Sequence, residues 1–318
     1  MTKLRLMFFN LLFISIFLSS YAYAAFNEIG IGARPLGLGG AFVALADDSN
    51  ATNYNAAGLS YITDIHISAT HAQRFNGLVS HNTIVGIIPL GGFGTLGANF
   101  GFLTEDSDIY REQTIRLSYA RTIIKQFGLG INLKRLGTSY DKTNEFVAEN
   151  LYFTNTSSSA FSLDLGLLAK PFNSLSIGVS AENIVPVDVS ISETHTDTVP
   201  MNIRAGIAYS LESIAEMSAQ GAAISNLLRG TIITFEVTSR DGDISTSTGV
   251  EMWVNNTIGI RGGFGRNNSG NSATTFSLGG SAILPISGTA FQLDYGIQLL
   301  TGDFQNNTTQ RFSVNLQF

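Results

Sequence analysis

The stretch RFSVNLQF, from Arg311 to Phe318, alternates without a break between polar and apolar side chains. Successive side chains of an extended chain point to opposite faces, so the apolar residues share one face and the polar residues share the other. This pattern predicts a β-strand with one apolar and one polar surface. A half-buried strand of a soluble sheet and a strand of a membrane barrel both fit it, so the rest of the chain decides between them.

The same period of two recurs along the chain from about residue 63 onward. Counting such segments predicts about fourteen strands, an even number that is typical of single-chain bacterial membrane barrels. We place them near residues 63–75, 80–89, 93–103, 109–123, 127–139, 159–169, 174–183, 200–210, 230–239, 244–254, 257–266, 273–284, 288–299 and 308–318.

The connections between these strands fit a barrel that is entered from the periplasmic side. Every second connection is then a short turn, as at residues 91–92, 125–126 and 255–256. The opposite end carries two long polar connections, residues 141–157 and 183–199. The predicted orientation and strand count therefore agree with each other.

One periplasmic connection, residues 211–229, is long and has helical spacing of its apolar residues. Gly221 within it weakens a helix by about 1 kcal/mol relative to Ala. We expect a helical periplasmic insertion. A docking helix at the periplasmic rim is one interpretation, and an insertion packed under the barrel is the favoured one.

The composition favours a membrane barrel over a soluble β-sandwich. Charged residues make up 13% of the chain, about half of the roughly 25% that is usual in globular proteins. The net charge of −6 and the lack of a basic patch argue against nucleic acid as a partner. With no Cys, the chain has neither disulfides nor thiolate metal sites. Outer-membrane lipid is the expected surroundings.

Residues 1–24 have the pattern of a signal peptide. Lys3 and Arg5 give a positive start, and a short apolar core covers residues 7–18. The A-x-A sequence at residues 22–24 predicts cleavage before Ala25. The apolar core is shorter than the roughly 20 residues that a spanning helix needs. The chain is therefore expected to leave the cytoplasm.

Residues 32–60, GARPLGLGGAFVALADDSNATNYNAAGLS, have neither strand alternation nor the length of a good helix. Gly and Pro permit a tight, irregular backbone. Two short apolar runs, residues 41–46 and 54–59, need a surface to bury against, which argues against a disordered tail. We expect this stretch to lie inside the closed barrel.

This run resembles the start of the mature chain in FadL-like and PorV/PorQ-type bacterial outer-membrane barrels. In those families it forms an N-terminal hatch that usually closes with N-P-A-G-L, whereas here residues 55–59 read NAAGL, with Ala56 in place of Pro. The resemblance implies an all-β, membrane-spanning antiparallel barrel with a hatch at residues 25–62 and a barrel at residues 63–318. A final strand that ends in Phe318 resembles the signal that outer-membrane barrels present to their insertion machinery.

The resemblance implies one of two functions, and no enzymatic activity. The first is FadL-like passive transport of hydrophobic small molecules across the outer membrane. The second is a PorV/PorQ-like role in type IX secretion, in which the barrel binds exported proteins. The candidate ligand path and hatch residues are Phe42, Val43, Leu45, Asp47, Asp48, Asn55 and Leu59.

Alternation also predicts a set of charged side chains that point into the lumen. They are Arg116, Lys134, Asp164, Glu182, Arg204, Glu236, Glu251, Arg261, Asp294 and Arg311. The two signs are nearly matched, which favours ion pairs that hold the strands and the hatch over a selectivity ring. Asp47 and Asp48 are expected to pair with some of these arginines.

The sequence offers no catalytic or metal-binding motif and predicts no cofactor. The run GFGTLG at residues 92–97 fits G-x-G-x-x-G, but a predicted strand follows it instead of the helix that a phosphate cradle requires. The four histidines lack metal-ligand spacing, and no G-x-S-x-G sequence is present. His66, His71 and His81 lie on the first two predicted strands, where a barrel hydrolase could assemble a site across strands.

Overall fold

The computed structural model describes residues 26, 30–150, 155–192, 196–217, 222–267, 273–286, 288–301 and 307–318. The predicted signal peptide lies outside these residues. Within them, fourteen strands form one closed barrel, and two further short strands form a separate ribbon. The predicted fold class is confirmed.

In chain order the barrel strands are β1 (His66–Arg74), β2 (Val79–Pro89), β3 (Thr95–Glu105), β4 (Tyr110–Ile124), β5 (Phe127–Tyr140), β6 (Ser157–Phe172), β7 (Leu175–Glu182), β10 (Asn202–Ser210), β11 (Thr231–Arg240), β12 (Asp243–Val254), β13 (Ile258–Asn267), β14 (Thr274–Ile286), β15 (Thr289–Thr301) and β16 (Thr308–Gln317). The ribbon consists of β8 (Val187–Asp188) and β9 (Thr198–Val199). Each barrel strand pairs antiparallel with its neighbours along the chain, β7 pairs with β10, and β1 pairs with β16 to close the ring.

The period of two divides the strands into an outer apolar face and an inner polar face. Outward residues such as Ile84, Leu117 and Leu278 are 58%, 56% and 66% exposed. Because the first strand pairs with the last, the closed sheet has no unpaired edge and can lie in lipid with its backbone groups hydrogen-bonded. The chain has the closed barrel and the apolar outer surface of a bacterial outer-membrane protein.

In the described residues, five short helices are not part of the barrel wall. They are α1 (Ala33–Gly37), α2 (Ala51–Tyr54), α3 (Glu145–Ala148), α4 (Glu212–Met217) and α5 (Ala222–Arg229), and 3-10 turns cover Ala56–Tyr61, Phe75–Gly77 and Gly91–Phe93. None of the helices in the described part of the chain is long and apolar enough to cross a membrane.

The connection between β10 and β11 contains two helices, α4 and α5, within its described residues. The hydroxyl of Ser225 in α5 donates to the carbonyl of Ala215 in α4 at 3.4 Å. Residues ten apart in one continuous helix are about 15 Å apart along its axis, so α4 and α5 must fold back on each other.

The outer connection after β7 folds into the mouth of the barrel. Val187, Val189 and Val199 are buried in a cluster with Leu136 of β5. The hydroxyl of Thr138 donates to the carbonyl of Val189 at 3.1 Å. The expectation of a polar outer loop missed these valines, which cover the inner wall of β5 on the outer side of the barrel.

The facing of the strands can be tested at Leu117 in the middle of β4. Leu117→Arg places a charge in the apolar belt, where it costs about 2–4 kcal/mol near the bilayer centre. We expect a clear loss of folded barrel, measured as the heat-modifiable band on a gel. Leu117→Phe is the control and should fold as the parent does. Equal folded yields of the two variants would contradict the assigned facing.

Candidate functional site

Residues 30–62, called here the N-terminal segment, lie within the barrel and are mostly buried. Their backbone is a chain of tight turns and short helices. Gly39 and Gly40 have φ values of 67° and 91°, a region that favours glycine. The Gly-rich sequence therefore explains why this segment follows the lumen instead of joining the sheet.

The apolar part of the N-terminal segment fills the lumen. Phe42 and Val43 are fully buried, and the ring of Phe42 meets that of Tyr54 edge-on at 5.4 Å. Leu45 and Leu59 are 7% and 0% exposed. These four predicted path residues pack against the wall and one another, so in this structure they fill the barrel and do not line an open path.

Glycines on the inner face of the wall let the N-terminal segment approach the strands closely. A Cβ on Gly206 of β10 would lie 2.7 Å from Cγ1 of Val43, and one on Gly249 of β12 would lie 2.7 Å from the carbonyl oxygen of Leu38. Such separations are too short for real Cβ atoms. The wall glycines in contact with the segment are Gly97, Gly128, Gly130, Gly166, Gly178, Gly206, Gly249, Gly263, Gly279 and Gly296. They occur on nine of the strands, so the wall is recessed around most of its circumference.

Arg34 of α1 is the charged anchor of the N-terminal segment. Its Nε and Nη2 donate to the two oxygens of Glu251 on β12, at 2.8 Å and 2.7 Å. Its Nη1 contacts Asp47 at 2.5 Å and Asp48 at 2.9 Å. Asp47 and Asp48 thus pair with an arginine of the segment itself, which corrects the expectation of a barrel arginine. The sequence analysis did not single out Arg34.

A second carboxylate, Glu236 of β11, holds the backbone of the N-terminal segment. Its Oε2 accepts from the amides of Phe42 and Val43, each at 2.8 Å. Its Oε1 accepts from Arg204 at 2.7 Å, and Arg204 also donates to Glu182 at 3.2 Å. The charges of the wall therefore position this stretch of the segment, as the ion-pair interpretation expected.

The sequence NAAGL forms a capped turn although Ala56 replaces the usual Pro. The side-chain oxygen of Asn55 accepts from the amide of Ala57 at 3.1 Å. Its Nδ2 donates to the carbonyls of Val43 at 2.9 Å and of Leu167 on β6 at 2.8 Å. Asn55 thus ties the two apolar runs of the segment to each other and to the wall.

A third group of charges lies on β4, β5 and β6. Asp164 contacts Lys134 at 2.6 Å and Arg116 at 3.7 Å. Asn132 donates to Asp164 at 3.0 Å and to the carbonyl of Thr52 at 3.1 Å. This group connects α2 to the wall through amides as well as ions.

Two more of the predicted charges, Arg261 on β13 and Asp294 on β15, belong to the group of charges around Arg34. Arg261 pairs with Glu251 and lies 3.6 Å from Asp294. Asp294 also accepts from Asn315 of β16 at 2.6 Å. Arg311 differs from the other predicted charges, because among the described residues it pairs with no carboxylate. Its Nη1 donates to the carbonyl of Gly32 at 3.2 Å.

The structure separates the three histidines of the first two strands. His66 lies opposite Ile87 at one end of β1, and His81 lies opposite Ala72 toward the other end. His71 is on the outward face and contacts Asn82 at 2.7 Å. His195 lies outside the described residues. The described histidines therefore do not come together as a site, and no group of three or more potential metal ligands occurs in the part of the chain that the structure describes.

Two cavities lie in the lumen toward the outer mouth. One of about 90 Å³ lies between Phe26, Leu136 and the charges Arg116, Lys134 and Glu182. The other, of about 230 Å³, is bounded by the N-terminal segment at Gly40 and Tyr54 and by wall residues that include Arg74 and Arg311. Both are lined in large part by polar side chains.

The sequence matches no family model and no curated protein. Solved structures give clear fold matches. The Ralstonia pickettii toluene transporter TbuX aligns with a TM-score of 0.57 at 12% identity, over 92% of this chain and 98% of that chain. A Pseudomonas aeruginosa FadL homologue aligns with a TM-score of 0.59 at 11% identity, over 90% and 98%.

The P. putida toluene transporter TodX aligns with a TM-score of 0.59 at 11% identity, over 91% of this chain and 99% of that chain. At such identities the likeness is one of fold. This chain therefore shares, over nearly its whole length, the barrel fold of FadL-type outer-membrane transporters.

Proposed function

We propose that this chain is an outer-membrane channel for the passive transport of hydrophobic small molecules. The observation that carries the proposal is the full-length fold match to proteins described as toluene transporters and a FadL homologue.

We further propose that the N-terminal segment is the hatch of this channel. Residues 41–46 are between 0% and 7% exposed, so the lumen is filled at their level. The contacts of Arg34 with Glu251 and of Glu236 with two segment amides hold it there. Solute passage then requires part of the segment to move.

The alternative role, binding exported proteins in type IX secretion, receives no support from the structural comparisons. Uptake of an apolar solute would favour the channel, whereas co-purification of exported proteins would favour the alternative. The three histidines considered for a hydrolase site, His66, His71 and His81, do not come together in the structure.

The hatch role is tested by the adjacent glycines Gly262 and Gly263 of β13. A Cβ on Gly263 would overlap the backbone of Leu38 and Gly39, whereas a Cβ on Gly262 has open space within 4 Å. Gly263→Val should displace the segment and raise the ion conductance of the protein in a planar bilayer. The ladder hydrogen bonds stay intact, so the barrel should still assemble.

Gly262→Val is the matched control, because its side chain points out of the barrel. It should conduct as little as the parent. Folded yield of both variants is checked by heat-modifiable mobility. Equal conductance of two well-folded variants would mean that the segment does not close the lumen.

Hatch movement during transport is tested by a reversible cross-link. A Cβ on Gly97 would lie 3.2 Å from Cγ2 of Thr52, so the pair Thr52→Cys with Gly97→Cys is within reach of a disulfide. The natural chain has no Cys, so the engineered bond has no competitor. We expect toluene uptake by cells to fall when the bond is oxidised and to recover on reduction.

The single variants Thr52→Cys and Gly97→Cys control for the substitutions themselves. Equal uptake in the oxidised and reduced states would show that movement at α2 is not required. Uptake by the parent no faster than by cells without the protein would refute the transport proposal itself.

A further inference from the structure

The cavity of about 230 Å³ on the outer side of the N-terminal segment has an unusual charge balance. Its lining includes Arg74, Arg204 and Arg311, and none of its described lining residues is Asp or Glu. Elsewhere in the lumen, the inward arginines described above each meet a carboxylate. This cavity therefore concentrates positive charge.

Of its arginines, only Arg204 is neutralised within the described part of the chain. Arg204 contacts Glu182 at 3.2 Å and Glu236 at 2.7 Å. Arg74 has its guanidinium carbon 4.9 Å from the ring centre of Phe75, a contact that leaves its charge in place. Among the described residues neither Arg74 nor Arg311 forms an ion pair, and the carboxylate of Glu112 acts on Arg74 only from beyond ion-pair distance.

Arg311 is the more deeply placed of the two. It is 5% exposed, and it hydrogen-bonds the carbonyl of Gly32 and the side chain of Tyr54, which are both neutral groups. Its Nε has no hydrogen-bond partner. A buried cation is normally paired, because taking a charge out of water without a partner is costly. A negatively charged hydrogen-bond acceptor would satisfy both the Nε donor and the positive charge of Arg311.

The register of the closing strands places the two cations side by side. Ala72 lies opposite Arg311 in the pairing of β1 with β16, so Arg74 is the diagonal neighbour of Arg311 on the inner face. Diagonal neighbours are about 7–8 Å apart at the backbone, within reach of long side chains. The positive charge of Arg311 acts unfavourably on that of Arg74, and an anion between the two guanidinium groups would offset this repulsion.

The remaining wall of the cavity supplies hydroxyl and amide groups. Ser245, Ser247, Thr309 and Gln298 line it along with Thr238. These side chains can donate to oxygen atoms, and the planar guanidinium matches the geometry of a carboxylate or a phosphate. Thr238 and Gln298 already donate to Glu236 and Ser277, and a hydrocarbon would offer no acceptor to the other hydroxyl groups.

We propose that this cavity binds an oxoanion, a carboxylate or phosphate group, between Arg311 and Arg74. The site is separate from the apolar cluster at the mouth and does not depend on the proposed transport of hydrophobic molecules. The bound anion would neutralise the closing seam of the barrel and occupy the space above the N-terminal segment.

The site is tested by titration calorimetry of the detergent-purified protein with inorganic phosphate, in a chloride-free buffer of constant ionic strength. Arg311→Gln and Arg74→Gln each remove a charge-assisted hydrogen bond and should weaken binding about tenfold or more. Arg111→Gln is the matched control. Arg111 is exposed and pairs with Asp108 at 2.5 Å away from the cavity, so its loss should leave the affinity unchanged.

Arg311 also contacts Gly32, so its replacement can loosen the N-terminal segment. Arg74→Gln, at the outer end of β1, is the second variant that keeps the test decisive, and heat-modifiable mobility checks folding of each protein. No binding of phosphate or acetate by the parent would overturn the proposal. So would unchanged affinity in both folded variants.

Two probes then distinguish the source of the anionic group. Acetate and hexanoate carry the same carboxylate, without and with an apolar chain. Equal affinities that both depend on Arg311 would support a site for a free small oxoanion. Tighter binding of hexanoate, again dependent on Arg311, would support a site for the head of an amphipathic molecule.

Discussion

The pairing of β1 with β16 is the contact on which the rest of the structure depends. It runs from His66 opposite Gln317 to Gln73 opposite Gln310. A bilayer offers no partner for a free strand edge, so this seam lets the sheet exist in lipid. Its register also decides which side chains point inward, because a slip of one residue in the pairing would exchange the inner and outer faces of a strand. The inner position of Arg311 and the outer position of its neighbours follow from this register.

Closure of the wall creates a second requirement inside it. The backbone amides and carbonyls of the barrel strands hydrogen-bond to one another. An irregular segment in the lumen therefore needs side-chain partners for its own amides and carbonyls. Glu236 accepts from two segment amides, Ser313 accepts from the amide of Ala33, and Asn132 donates to a segment carbonyl. This explains why charged and amide side chains project from the wall at the level of the segment. Glycines at the intervening positions bring the two backbones close enough for these bonds.

The strands and the inward facing of the charges followed from the sequence, because a period of two fixes facing without knowledge of tertiary contacts. The ion-pair partners of these charges did not follow from the sequence. Asp47 and Asp48 pair with Arg34, which no period singles out in an irregular segment. The apolar residues around Phe42 are buried, but whether such residues line or fill a lumen depends on packing that the sequence pattern does not contain. The wall glycines were detectable in principle, since they occupy inward positions of the predicted strands. Their role needed the position of the N-terminal segment, because these contacts join residues that are far apart in the sequence.

Transport of an apolar solute, under the proposed function, has to exchange contacts that differ widely in strength. Breaking a buried ion pair such as Arg34 with Glu251 leaves a charge unpaired and costs about 3–5 kcal/mol. At about 25 cal/mol per Å² of apolar surface, a solute must bury about 120–200 Å² merely to offset that one loss.

Neutral hydrogen bonds contribute only about 0.5–1.5 kcal/mol each. The 3-10 turn Ala56–Tyr61 meets the wall through such neutral bonds, from Thr122 to the carbonyl of Ser60 at 3.0 Å and from Tyr61 to the carbonyl of Leu168 at 3.5 Å. The one charged contact described there is that of Lys170, whose Nζ lies 4.2 Å from the centre of the Tyr61 ring. A small apolar ligand shifts a conformational equilibrium only by its differential affinity for the two states. The energetics therefore favour opening along this side of the segment, which has no described ion pair, with the charged group around Arg34 left in place.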